Sequence, residues 1–99
     1  MTKFLVLWEV DATKVPDKPE ERFENWTKML NMVKEALDSG KMTDWGEFAG
    51  RISGYTITEG TEQEIALELL RYVPYIKFKT YPVISVDQVL ENVKALSQG

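Results

Sequence analysis

The sequence predicts an α+β fold: a four-stranded antiparallel sheet carrying two helices on one face, with a short third helix at the C-terminus. Three observations carry that prediction. Apolar residues recur at steps of three and four in three separate stretches, alternating and β-branched segments lie around those stretches, and each helical stretch opens on a capping signature. The resulting order is β-α-β-β-α-β-α without repeats, linkers or low-complexity tracts. With 99 residues, the chain is read as one domain, 1–99, with material for one core.

The first strand is "KFLVLWEV", residues 3–10. Phe4, Val6, Trp8 and Val10 fall on one side and Leu5 and Leu7 on the other, the mark of a central strand covered twice. "DATKVPDKPEE" then forms a loop, and Asp17 with Glu20 three residues on has the spacing of a capping box, with Pro19 in the first turn. Phe23, Trp26, Met29, Leu30, Val33, Ala36 and Leu37 make one apolar stripe on a helix about five turns long. Gly40 is placed to stop it in the left-handed conformation.

Residues 42–49 and 53–59 read as a hairpin turning near Gly50 and Arg51. If Phe48 pairs with Tyr55, then Trp45, Glu47, Thr56 and Thr58 share a face. A slip of one residue groups Trp45 and Glu47 with Tyr55 and Ile57 instead. Thr61 and Glu64 form a second capping box ahead of Ile65, Ala66, Leu69, Leu70 and Val73, and Pro74 ends that helix. "YIKFKTYPV" alternates as the last strand, which Pro82 confines to an edge or exit position. Ser85 and Gln88 cap a final helix bearing Val86, Val89, Leu90, Val93 and Leu96.

Composition removes several chemistries. The chain has no cysteine and no histidine, so thiolate metal sites, disulfides, cysteine nucleophiles, the commonest general base and the usual haem ligand are all missing. No metal and no cofactor are expected. Sixteen acids against twelve dispersed bases give a formal charge of −4, the opposite of the basic stripe that nucleic acid binding requires. The longest apolar run, "FLVLW", is far short of the ~20 residues of a membrane helix. The N-terminus lacks the h-region and cleavage site of a signal peptide, and a cytoplasmic location is expected.

"WGEFAGRISGYTITEG" spaces its glycines four or more apart and interrupts them with Glu47 and Glu59, a poor cradle for phosphate. The better reading is structural. Gly50 helps to turn the hairpin, Gly46 and Gly54 relieve crowding or mark a bulge, and Gly60 permits entry into the second helix. An interior strand glycine such as Gly46 can equally leave room for a ligand or a partner's backbone.

"GYTITEGTEQEIALELLRYVPYIKFKTYPVISVDQVL", with the opening "KFLVLWEV", resembles the small proteins of the dimeric α/β barrel superfamily, most closely its short uncharacterised members and more distantly the muconolactone isomerase and small monooxygenase branches. The resemblance implies a ferredoxin-like βαββαβ subunit that pairs as a homodimer through its sheet face, with a ligand cavity between sheet and helices. It carries over no catalytic residue, and the missing histidine argues against haem-linked activity. The strand with apolar residues on both faces points independently to a second subunit, since helices cover only one of them.

RNA-recognition domains share the βαββαβ order, but "SGYTITE" lacks the basic residue and the later aromatics that stack bases. Candidate ligand-binding residues are Trp8, Trp45 and Tyr55, which offer aromatic walls with N–H or O–H groups, Glu47 as a carboxylate, and Arg51 as a clamp for an anion. For each the structural alternative is core packing, a dimer contact or a solvated turn. The other strand acids, Glu9, Asp44 and Glu59, and the last-strand lysines, Lys77 and Lys79, read as edge and surface charges. The expected function is the binding or conversion of a small organic molecule. The alternative is a non-enzymatic homodimeric module with a filled interior.

Overall fold

The computed structural model describes residues 2–98. Its strands are β1 (Thr2–Val10), β2 (Met42–Glu47), β3 (Ser53–Gly60) and β4 (Ile76–Val83), and its helices are α1 (Pro19–Asp38), α2 (Glu62–Leu70) and α3 (Val86–Gln98). The strands form one open sheet in the order β2-β3-β1-β4, with every neighbouring pair antiparallel. The arrangement is compatible with a ferredoxin-like fold. Among the described residues no helix is long and apolar enough to cross a membrane.

β1 lies between β3 and β4 and carries the core. Phe4 and Val6 pack with Ile65 and Leu69 of α2, while Val33 and Ala36 of α1 pack with Met42 and Tyr72. Both helices therefore cover the face that holds Phe4, Val6 and Trp8. Val6 is fully buried, and burying such a side chain is worth roughly 1.5–3 kcal/mol. On the other face Leu5 and Leu7 stand beside Ile57 and Tyr55, and all four are half-buried with no helix above them.

β4 is an edge strand, so Pro82 sits where the sheet tolerates it, opposite Phe4 at the end of the β1 ladder. The hairpin register is two residues from the pairing of Phe48 with Tyr55. Gly46 faces Tyr55, Trp45 faces Thr56 and Glu47 faces Gly54. A shift of two preserves the faces, and Trp45, Glu47 and Thr56 do share one. Near Thr43 the register slips by one residue between Met42 and Asp44, and this irregularity turns Met42 into the core. Phe48 instead belongs to the turn, where its N–H donates to the Ser53 carbonyl at 2.8 Å and its carbonyl accepts from Arg51 N–H at 3.0 Å.

Two of the three capping boxes form in full. Thr61 and Glu64 exchange bonds of 3.0 and 3.1 Å, and Ser85 and Gln88 exchange bonds of 2.8 and 3.1 Å. The box expected at Asp17 and Glu20 does not form. Pro19 takes the first helical position, which makes Lys18 the N-cap of α1, and its ammonium has no acceptor with which to form a side-chain cap bond. Asp17 instead offers its carbonyl to Arg22 at 2.9 Å. Gly40 adopts φ +83° just beyond α1, the left-handed stop its position predicts.

α3 differs from the other helices in burying no residue. Val86, Val89, Leu90, Val93 and Leu96 are all exposed, Leu96 to 82%. The molecule measures 62 × 25 × 23 Å.

Candidate functional site

A cavity of about 330 Å³ lies between α1 and the covered face of the sheet, near the low end of the ~300–1,000 Å³ typical of small-molecule sites. Alternation along the strands builds its floor: Trp8 and Val10 from β1, Trp45 and Glu47 from β2, Thr56 from β3, and Ile76 and Phe78 from β4. The three-and-four spacing of α1 supplies the roof, with Trp26, Met29, Leu30 and Val33. Tyr72, on the turn after α2, and Ile52, in the hairpin loop, close the sides.

Trp8 and Trp45 stack across the floor with ring centroids 5.3 Å apart and planes 10° from parallel. The stack depends on Gly54. A β-carbon placed there would come within 2.5 Å of the Trp8 ring and collide with the Gly46 carbonyl, so the bare glycine lets the indole of β1 lie toward β2. The Trp8 N–H donates to the Tyr55 carbonyl at 3.3 Å, which fixes the ring and satisfies its one donor within the protein. Thr56 Oγ1 is likewise engaged, donating to the Asp44 carbonyl at 2.7 Å.

Glu47 is the only carboxylate in the lining, and no lysine or arginine is among the lining residues. It is exposed, which puts its charge at the mouth. Tyr72 is only 4% exposed, and its hydroxyl finds no hydrogen-bond partner. Burial, reinforced by the negative charge of Glu68, pushes its phenol above the usual tyrosine range, so it remains a donor.

Of the five candidate residues, the structure brings Trp8, Trp45 and Glu47 together on the cavity. Tyr55 lies on the opposite face of the sheet, where its hydroxyl donates to Asp44 Oδ2 at 2.7 Å and its pKa is raised chiefly by that bond. Arg51 is exposed in the hairpin turn, outside the lining. Trp26 and Met29 belong to the cavity although their periodic positions read as core, and Tyr72 and Phe78, which the helical stripes do not include, line it as well. A stripe at helical spacing looks the same whether it packs on the sheet or roofs a void.

Among the described residues no cluster of three His, Cys, Asp or Glu side chains could hold a metal ion. What the arrangement can do is enclose an apolar body between indole rings and hold one polar group near Glu47. No family model matches this chain, and no curated protein is similar to it.

Proposed function

We propose that the protein binds a small, largely aromatic organic molecule in the cavity between α1 and the sheet, and that it works as a homodimer paired through the open sheet face. The observation that carries the first part is the cavity itself, about 330 Å³ walled by Trp8, Trp26, Trp45, Tyr72 and Phe78 where a purely structural module would be close-packed. Aromatic walls supply contact area and ring-on-ring geometry for an aromatic guest. If the guest is converted as well as bound, Glu47 is the one carboxylate positioned to accept a proton.

Support for pairing is separate. Leu5, Leu7, Tyr55 and Ile57 form an apolar patch with no covering helix, and a second copy of the same patch would cover it symmetrically. The apolar stripe of α3 adds to the surface that pairing could bury.

A thermal-shift panel of uncharged one- and two-ring aromatics tests the binding reading. Several members should raise the melting temperature, and Leu30→Trp, which fills the roof of the cavity, should abolish the shift. A panel without any shift, or a shift that survives the filled variant, would contradict it.

A further inference from the structure

We propose that the cavity selects a lipophilic organic cation, a protonated or quaternary amine carried on a one- or two-ring apolar body, whose charge sits between Glu47 and the Trp8–Trp45 stack. The proposal rests on the small-molecule reading above and specifies its ligand class.

The charge inventory of the lining comes first. Glu47 is the only charged residue in it, and no basic side chain is present to receive a carboxylate or phosphate. Among the described residues Glu47 is also unpaired, because the two ion pairs join Lys41 and Arg71 to Glu68. A lone carboxylate at the mouth of an aromatic cavity repels anions, and the apolar walls strengthen that repulsion.

The second argument is geometric. Glu47, Gly54 and Trp8 are consecutive neighbours across β2, β3 and β1, and the middle position has no side chain. Trp45 sits two residues before Glu47 on the same face of β2, with its ring stacked on that of Trp8. Indole faces carry the strongest quadrupole among the aromatic side chains and attract ammonium groups, most effectively where water is excluded. A cationic head therefore meets both of its natural partners at the mouth, the carboxylate and the π-face. Its hydrophobic body extends inward beneath Trp26, Met29 and Val33.

Calorimetric titration with three ligands of matched shape tests this: 2-(aminomethyl)naphthalene as the cation, 2-naphthalenemethanol as the neutral form and 2-naphthoate as the anion. The amine should bind about tenfold more tightly than the alcohol, with the naphthoate weakest. In Glu47→Gln, whose fold is checked by far-UV circular dichroism, the amine should fall to the affinity of the alcohol while the alcohol is unchanged. An alcohol that equals the amine in the wild type, or an amine preference that survives Glu47→Gln, would overturn the cation assignment and leave the cavity reading standing. Binding of none of the three would overturn both.

Discussion

The indole of Trp8 lies over Gly54, its cross-strand partner, so closely that a β-carbon on the glycine would stand 2.5 Å from the ring. The same relation recurs on the other face of the sheet, where the Tyr55 ring covers Gly46 and would meet a β-carbon at 2.6 Å. Each glycine surrenders its side-chain volume to an aromatic ring on the adjacent strand, which answers the entropic weakness of glycine within a strand. On the covered face the result is the floor of the cavity.

Gly54→Ala should therefore be strongly destabilising. Overpacking costs about 1–3 kcal/mol where side chains can yield, and here one of the obstacles is the Gly46 carbonyl, which belongs to the β2–β3 ladder and cannot rotate away. Urea denaturation should place the loss at or above the upper end of that range. Near-ultraviolet circular dichroism should lose the signal of the stacked Trp8 and Trp45 pair. Unchanged stability would show that the ring is not seated on the glycine.

Tyr72→Phe should go the other way. The hydroxyl is buried without a partner, and an unsatisfied buried polar atom costs about 1–3 kcal/mol, so its removal should leave stability unchanged or raise it by about 1 kcal/mol. Thermal and urea unfolding check the sign. A loss above about 1 kcal/mol would mean that the phenol has a partner in solution.

Much of this architecture was legible in the sequence because local rules and tertiary structure agreed. Thr61 with Glu64 and Ser85 with Gln88 form the caps their spacing predicts, and Pro82 marks β4 as an edge. The Asp17 box failed because Pro19 imposed its own helix start. The hairpin register was not legible, since alternation alone excludes neither a slip of one residue, which exchanges the faces, nor a shift of two, which keeps them. For the site, Trp8, Trp45 and Glu47 were found because an aromatic pair and a carboxylate at i and i+2 on one strand must share a face. Trp26 was not, because periodicity records which side of a helix is apolar and is silent on whether the space it faces is filled, and Tyr72 was not, because it lies in the turn after α2 and outside any periodic stripe.

Acid should weaken the cap of α2. The hydrogen bond that the Thr61 backbone N–H donates to the Glu64 carboxylate, aided by the neighbouring Thr61 side chain, holds Glu64 below the usual glutamate range. A folded-state pKa below the unfolded one means that Glu64 contributes its full stability above the unfolded value. That contribution is lost as pH falls through the folded value. Glu64→Gln keeps an acceptor for the Thr61 N–H but cannot titrate. The stability difference between wild type and this variant should be constant at neutral pH and shrink as pH drops below the ordinary glutamate range. A difference that does not change with pH would remove Glu64 from the acid response. Thr61→Ala, measured at neutral pH, should cost about 1 kcal/mol.

Aspartate substituted on the two faces of β1 should separate folding from assembly. Val6→Asp places a charge at a fully buried position facing α2, and loss of the fold, at about 4 kcal/mol or more, is expected from circular dichroism and urea titration. Leu7→Asp acts one residue away on the open face, where Lys79 stands opposite on β4 and can accompany the new charge. Its far-UV spectrum should match the wild type. Sedimentation at micromolar concentration should show the wild type as a pair of 11.4 kDa chains and Leu7→Asp as a single one, because two aspartates would meet across a symmetric interface. A monomeric, well-folded wild type would leave the patch of Leu5, Leu7, Tyr55 and Ile57 without a partner and refute pairing through this face.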